Sequence, residues 1–243
     1  MPRFFIDCAP QGDQIVLTGD DAHHMVRVLR MKPGETLTVC DGAGTDYACT
    51  LTALEGNTAQ CRIDARTPSR GEPSVPVTLF MALPKGDKMD FIVQKAVELG
   101  ASRVCPYVAS RSVSRPDGKA LAKKTERWRK IAREAAQQCG RGRVPEVADC
   151  LSFDAAVCQA AQAELPLFFY EKEVQTGVRS VLTAQSFGSA AVFIGPEGGF
   201  EDEEAQAAVQ AGLKSVSLGP RILRCETAPL AALTAVLYES GNL

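Results

Sequence analysis

From residue 77 onward the chain repeats one pattern, in which a short apolar run is followed by a stretch with helical spacing. Apolar runs of this kind have the length and composition of buried strands, and the stretches between them have the period of helices. Regular alternation of strands and helices is typical of an α/β fold, a parallel sheet with helices on both faces. The predicted strands are 77–83, 103–109, 146–150, 165–170, 191–195 and 215–219. Gly100 is predicted to end the helix that follows the first strand, and Ser152 to cap the helix that follows the third.

The first 70 residues follow a different pattern. Short β-prone runs are separated by Asp-Gly, Gly-Asn and Pro-Gly pairs, which predicts a small barrel-like β domain. A short helix or turn is predicted within 22–31, with a structural role for His24, and the proline-rich stretch 66–76 is predicted to be a linker. We therefore place a boundary near residue 73 and expect domains 1–72 and 73–243.

Composition restricts the classes of protein to which the chain can belong. With 45% hydrophobic and 23% charged residues, the chain can bury a core. No apolar run approaches the roughly 18 residues of a membrane helix, and the first residues do not resemble a signal peptide. The nine cysteines form no CxxC pair, so neither a metal site nor a disulfide framework is expected. These features favour a cytoplasmic protein.

Charge is distributed unevenly, although the net charge is only −2. Residues 103–143 contain twelve Lys or Arg against three Asp or Glu, whereas residues 144–206 contain two against eleven. A basic helix is predicted at 119–139, and Arg111, Arg115, Arg141 and Arg143 flank it. This cluster favours a surface for a nucleic-acid backbone, and a solvated helix face is the alternative.

Three loops in the last third of the chain directly follow predicted strands. They are "YEKEVQTG" after 170, "GPEGGFEDEE" after 194 and "LGPRILRCET" after 217. Parallel sheets bind ligands at the carboxyl ends of their strands, so we expect these loops to form one site.

The loop at 195–199 is rich in glycine but acidic. The chain lacks GxxxxGK[ST] and GxGxxG, and Glu197 with the acidic residues at 201–204 would repel a polyphosphate. The charges at 201–204 also have an ordinary interpretation, as partners of a helix dipole. S-adenosylmethionine, which has a cationic sulfonium and no phosphate, suits this loop better, and glycines allow the backbone to approach it closely.

Five segments follow one another over nearly the whole chain: "HHMVRVLRMKPGE", "FIVQKAVELGASRVCPY", "WRKIAREAAQQCGRGRVPEV", "IGPEGGF" and "LGPRILRCETA". Together, and in this order, they resemble the RsmE family of ribosomal RNA methyltransferases. The resemblance implies membership of the SPOUT superfamily: a parallel sheet with a C-terminal trefoil knot, preceded by a small PUA-like β-barrel. It further implies a homodimer that methylates N3 of a uridine in the decoding region of 16S rRNA, within the small ribosomal subunit, with S-adenosylmethionine as methyl donor.

The resemblance implies the cofactor-binding residues, and the chemistry of the reaction indicates the catalytic candidates. Arg224 is the candidate for stabilising negative charge on the base oxygens, and Glu197 or Glu226 for accepting the N3 proton. Cys225 stands where the family usually has Thr. The implied cofactor-binding residues are Gly195, Pro196, Glu197, Gly198, Gly199, Leu218, Gly219, Ile222 and Leu223. The candidate RNA contacts are Arg3, Arg27, Arg30, Arg111, Arg115, Arg141 and Arg143.

Several alternatives remain open from the sequence. The chain could be a SPOUT ribose 2′-O-methyltransferase, or an RNA-binding ribosome assembly factor without catalytic activity. The substrate could be naked rRNA or an assembled subunit. The apolar final helix could belong to the core or form a dimer face.

Overall fold

The computed structural model describes all residues from 1 to 243, and these form two compact units. The first comprises residues 1–72 and 136–144, and the second comprises 73–135 and 145–243. The sequence predicted one boundary near residue 73, so the return of 136–144 to the first unit is a difference. Glu72 provides its physical reason, because its carboxylate accepts hydrogen bonds from the Arg141 guanidinium at 2.7 Å and from the main-chain nitrogens of Gly142 and Arg143 at 3.0 Å.

Five strands form the sheet of the first unit, in the order β1-β3-β4-β5-β2. Only the β1–β3 pair is parallel. A barrel was predicted, but β1 and β2 do not pair with each other, so the hydrogen-bonded ladder stays open. The predicted linker begins within β5, where Thr67 pairs with Asp46 of β4. The strands are β1 (Arg3–Phe5), β2 (Gln14–Thr18), β3 (Thr36–Cys40), β4 (Thr45–Glu55) and β5 (Thr58–Pro68).

The helix or turn predicted within 22–31 consists of α1 (Gly19–His23) and a single π-helical turn, His24–Val28. Met25 is fully buried against the sheet, and the His24 ring lies edge-on to Phe4 at 6.3 Å. The segment ends at Arg30, the only residue other than glycine with a positive φ, at 53°.

Seven strands form the sheet of the second unit, and every pair is parallel, as the sequence predicted. The order is β12-β10-β11-β6-β7-β8, and β9 also pairs with β7. The strand predicted at 146–150 is interrupted, because the five residues from Val147 to Leu151 lie opposite only four on β7, Val104 to Tyr107. The strands are β6 (Val77–Ala82), β7 (Arg103–Val108), β8 (Glu146–Val147), β9 (Leu151–Ser152), β10 (Leu165–Phe169), β11 (Ala190–Ile194) and β12 (Lys214–Val216).

Helices pack on this sheet where the periodicity predicted them. The predicted stop of α2 at Gly100 and the predicted cap of α4 by Ser152, which accepts from the main-chain nitrogen of Ala155 at 3.3 Å, are both confirmed. An aromatic layer that includes Phe168 and Phe193 packs with α4 and α6, while α7 contacts β6, β11 and α2 and contributes buried core residues. No helix is both long and apolar enough to cross a membrane. The helices are α2 (Lys88–Leu99), α3 (Gly118–Cys139), α4 (Phe153–Ala160), α5 (Val178–Leu182), α6 (Asp202–Gln210) and α7 (Ala228–Glu239).

Candidate active site

The three predicted loops meet in one cavity of about 440 Å³ at the carboxyl ends of β10, β11 and β12. These strands are neighbours in the sheet, with β10 between the other two, so the loops that leave them are adjacent. The cavity has the size of a small-molecule site and lies where parallel sheets bind ligands. Its lining includes 169–171 from the first loop, 194–197 and Gly199 from the second, and 216–219, 221–225 and Ala228 from the third.

The loop after β11 depends on glycine for packing. A Cβ on Gly195 would lie 2.7 Å from the buried Phe200 ring. Gly199 has φ +67°, and a Cβ there would lie 1.9 Å from the Glu171 carboxylate. That carboxylate also accepts a hydrogen bond from the main-chain nitrogen of Phe200 at 3.2 Å. Both positions therefore require glycine, and the loop is fixed against β10 and the core.

Three of the four acidic residues at 201–204 have partners within the protein. Glu201 receives two hydrogen bonds of 2.8 Å from the Arg111 guanidinium, which together lower the pKa of the carboxyl. Buried Glu204 accepts from the main-chain nitrogens of Ser110 and Glu201, at 2.8 and 3.1 Å. Asp202 accepts from the Tyr170 hydroxyl at 2.9 Å. These charges cap and anchor α6, which agrees with their ordinary interpretation.

Glu197 and Glu226 share one cation. The Lys88 ammonium lies 3.1 Å from Glu197 Oε1 and 3.1 Å from Glu226 Oε2. Glu197 also accepts from the main-chain nitrogen of Lys85 at 3.1 Å, and the Cys225 thiol donates to Glu226 at 3.2 Å. Both candidate proton acceptors are therefore already hydrogen-bonded.

These contacts explain the shifted pKa values of Glu197, Glu226 and Cys225. Burial alone would raise the pKa of Glu197, but main-chain hydrogen bonds and Lys88 outweigh it and lower that pKa. The Cys225 thiol, the main chain and Lys88 lower the pKa of Glu226. Burial, followed by the two carboxylates, raises the pKa of Cys225 to about 12. At neutral pH the site therefore contains two carboxylates and a neutral thiol.

The side chains of two arginines on the third loop make no hydrogen bond or ion pair with the protein. Arg221 and Arg224 are both exposed and both line the cavity. Their guanidinium groups are available to a ligand or a substrate, in contrast to Lys88.

The structure brings most of the predicted cofactor residues together. All of them line the cavity except Gly198, whose carbonyl accepts from Arg111 at 3.1 Å instead. Glu226 also lies outside the lining but contacts Lys88. The sequence reasoning did not assign Lys88, Tyr170, Glu171 or Arg221. Placement at or after the end of a predicted strand could have indicated Tyr170, Glu171 and Arg221, whereas no such signal marks Lys88.

Two of the predicted RNA contacts are in ion pairs with little exposed surface. Both terminal nitrogens of Arg3 donate hydrogen bonds of 2.6 Å to Asp46, and the Arg3 side chain is 13% exposed. Arg141 pairs with Glu72, and its side chain is 4% exposed. Burial and pairing leave little of either guanidinium exposed to a phosphate, so the geometry gives these two predicted contacts no support.

The remaining predicted RNA contacts lie at the surface or near it. The side chains of Arg27 and Arg30 are exposed and have no partner, and that of Arg143 is exposed with one hydrogen bond, to the Ala43 carbonyl at 3.2 Å. Arg115 is exposed and donates to the Ser110 carbonyl at 2.7 Å. Arg111 differs from these in that its guanidinium is engaged by Glu201. This ion pair links the segment after β7 to the start of α6.

Comparison with known families defines the class of protein. The model of an RNA methyltransferase domain matches residues 71–237, and that of an RNA methyltransferase PUA domain matches residues 17–64. The fold and the cavity at the strand ends are therefore those of an RNA methyltransferase with an appended PUA domain.

Full-length relatives narrow the class to a family. "Ribosomal RNA small subunit methyltransferase E" of Bacillus subtilis is 36% identical over 100% of this chain and 98% of its own length. The relative of that name from Mycobacterium bovis is 34% identical over 96% of this chain and 90% of its own. The crystal structure of the Neisseria gonorrhoeae protein of that name, bound to S-adenosyl methionine, matches with a TM-score of 0.87 and 32% identity, over 98% of this chain and 97% of that one. The chain belongs to the ribosomal RNA small subunit methyltransferase E family.

Proposed function

We propose that this protein transfers a methyl group from S-adenosylmethionine to N3 of a uridine in the decoding region of 16S rRNA. The observation that carries the proposal is the cavity built by the three loops, with the unpaired Arg221 and Arg224 in its lining. Membership of the family and the cofactor-bound Neisseria gonorrhoeae relative support it.

The cavity fits the cofactor in size and chemistry. A volume of about 440 Å³ lies within the usual range for small ligands. The lining offers the glycine backbone of the β11 loop, the apolar Leu218 and Leu223, and the Glu171 carboxylate. The residues proposed to hold the cofactor are Gly195, Pro196, Glu197, Gly199, Leu218, Gly219, Ile222 and Leu223, with Gly198 supporting the loop from behind.

When bound, S-adenosylmethionine supplies an electrophilic methyl group. The residues of the chain then act on the uridine, whose imide must lose its N3 proton as the nitrogen becomes a nucleophile. Arg224 is proposed to stabilise the negative charge that develops on the base oxygens, because its guanidinium lacks any other partner. Glu197 or Glu226 is proposed to accept the proton. Their lowered pKa keeps them ionised, and also makes each a weak base.

The remaining features of the proposal come from the family resemblance. We propose that the second unit is a SPOUT domain with a C-terminal trefoil knot, and that the first is a PUA-like RNA-binding domain. We also propose that the protein is a homodimer that acts on the small ribosomal subunit in the cytoplasm. Arg27 and Arg30, exposed and unpaired, are the proposed RNA contacts with the most direct structural support, followed by Arg143 and Arg115.

Methyl transfer to assembled small subunits that lack the modification tests the proposal. Labelled S-adenosylmethionine is the donor, naked 16S rRNA is assayed in parallel, and the RNA is digested to nucleosides. We expect the label in 3-methyluridine. Label on a ribose would overturn the base assignment, and RNA binding without any transfer to either substrate would favour the assembly-factor alternative.

A further inference from the structure

Lys88 is the first residue of α2, and its ammonium joins two loops that the sequence keeps apart. Its Nζ lies 3.1 Å from Glu197 on the loop after β11 and 3.1 Å from Glu226 on the loop after β12. It also donates to the Cys225 sulfur at 3.5 Å. The side chain is 35% exposed, so water is only partly excluded from these contacts.

The two carboxylates need this cation. Since both oxygens lie 3.1 Å from one nitrogen, they are at most about 6 Å apart, a separation at which like charges repel one another. A positive charge between them converts this repulsion into two attractions. Each attraction connects one cavity loop to α2, and through α2 to the other loop.

From this geometry we infer that Lys88 is a positioning residue, which holds the β11 and β12 loops in the relative arrangement that forms the cofactor cavity. The inference deepens the proposed function and rests on it for the identity of the cofactor. Lys88 does not line the cavity, so it acts through the loops.

The pairing of the Lys88 ammonium with Glu197 and Glu226 is called the Lys88 clamp below. The charged groups around Lys88 predict how this clamp depends on pH. The titratable groups that face it are Glu197, Glu226 and Cys225. The hydrogen bonds that Lys88 donates to Glu226 and Glu197 raise its pKa, so it stays charged, and the pKa of Cys225 near 12 keeps the thiol neutral. Without the ammonium, each carboxylate would experience chiefly the negative charge of the other, which raises the pKa of one of them.

Hydrogen exchange in the free protein tests the clamp without the cofactor. Lys88→Met should increase exchange in peptides from both loops, 195–201 and 217–227, whereas Lys88→Arg should retain most of the protection. Lys95→Met is the matched control, because Lys95 lies on the same helix with 34% exposure and pairs only with Glu98. Unchanged exchange in both loops of Lys88→Met would overturn the inference.

Titration with S-adenosylmethionine then connects the clamp to the site. At pH 7.5 we expect the Kd for S-adenosylmethionine to be about tenfold higher in Lys88→Met than in the wild type. The expected effect is no larger because a partly exposed ion pair stabilises less than a buried one. The difference in Kd between Lys88→Met and the wild type should shrink as the pH falls towards 5, where one of the two carboxylates becomes protonated. The double variant Lys88→Met/Glu226→Gln should recover part of the affinity. A pH-independent loss that Glu226→Gln does not relieve would mean simple loss of packing and would contradict the charge argument.

The two readouts separate the inference from the proposed function. If the wild-type protein binds no S-adenosylmethionine, the proposed function fails, and the exchange result still decides whether Lys88 holds the loops. If the wild type binds the cofactor and Lys88→Met binds it equally well, the proposed function stands and Lys88 does not position the site.

Discussion

At the scale of single residues, the cations near the cavity are of two kinds. Lys88 is engaged by two carboxylates, whereas Arg221 and Arg224 have no partner in the protein. An engaged cation fixes geometry, and an unpaired one is available to charge that appears during a reaction. This difference separates a positioning role from a catalytic one.

Arg224→Ala tests the catalytic role. We expect the methyl-transfer rate at saturating RNA to fall about 10²- to 10³-fold, the usual cost of removing one donor to a developing negative charge. Arg224→Lys should recover only part of the rate, because an ammonium lacks the planar fork of a guanidinium. Arg179→Ala, at an exposed arginine outside the cavity, is the control. A rate near that of the wild type for Arg224→Ala would remove Arg224 from the mechanism.

Sequence reasoning at this scale succeeded where a residue belongs to a local motif. Ser152 and Gly100 are cap and stop signals that depend on a few neighbours, and both predictions are confirmed. The pairing of Lys88 joins residues more than a hundred positions apart, so no local pattern indicates it. The pairing of Arg3 was not foreseen for the same reason, because its partner Asp46 is known only once the strands are paired.

At the scale of elements, the β11 loop is fixed by the fit of two glycines. Gly199→Ala should raise the Kd for S-adenosylmethionine by about tenfold or more, because the new methyl group displaces Glu171 and the backbone is strained at φ +67°. Gly212→Ala is the matched control, since Gly212 has φ +100° with open space around its Cβ. It should lower the melting temperature through backbone strain without changing the Kd. Equal affinity for Gly199→Ala and the wild type would contradict the role of this packing.

A buried ion pair connects β1 to β4 in the first unit. Burial alone would raise the pKa of Asp46, but hydrogen bonds from Arg3 and Ser69 lower it overall. A lowered pKa gives stability that is complete above the unfolded value, near pH 4, and is lost as the pH falls through the folded pKa.

Asp46→Asn should therefore reduce the free energy of unfolding by about 1–2 kcal/mol at pH 7. The difference from the wild type should shrink below about pH 4, where Asp46 becomes protonated in the wild type. Chemical denaturation at a series of pH values measures it. Asp64→Asn, at the exposed pair with Arg62, is the control and should have a smaller effect. A difference that stays constant down to pH 2 would show that charge is not its origin.

Periodicity predicted the helices and parallel strands of the second unit, because each buries a face set by its own residues. It did not predict the interruption between β8 and β9 or the continuation of β5 into the linker. Both depend on the neighbouring strand, which provides the hydrogen-bond partners for Leu151 and Thr67.

At the scale of the whole molecule, the chain joins a mixed sheet to a parallel one and returns to the first unit at 136–144. The sequence pattern indicated the two sheets, because the β-prone runs and the strand–helix alternation occupy separate parts of the chain. The sequence did not indicate that 136–144 belongs to the first unit, because this depends on hydrogen bonds from Arg141 and the adjacent main chain to Glu72. A knot likewise has no signature in periodicity, and only the family resemblance implies one.

The charged surface of the first unit predicts how RNA binding responds to salt. Arg27→Glu/Arg30→Glu should weaken RNA binding by about tenfold or more and flatten its salt dependence by about one to two units of slope. Arg62→Glu, a charge reversal at an exposed residue of β5, is the control and should change both less. Equal affinities and slopes for the wild type and the double variant would exclude Arg27 and Arg30 as RNA contacts.

The central claim is tested most directly by the 3-methyluridine content of 16S rRNA from cells that lack this protein. We predict that the nucleoside is absent from their small subunits, returns when the wild-type chain is restored, and does not return with Arg224→Ala. A content of 3-methyluridine in the deficient cells equal to that of normal cells would contradict the account.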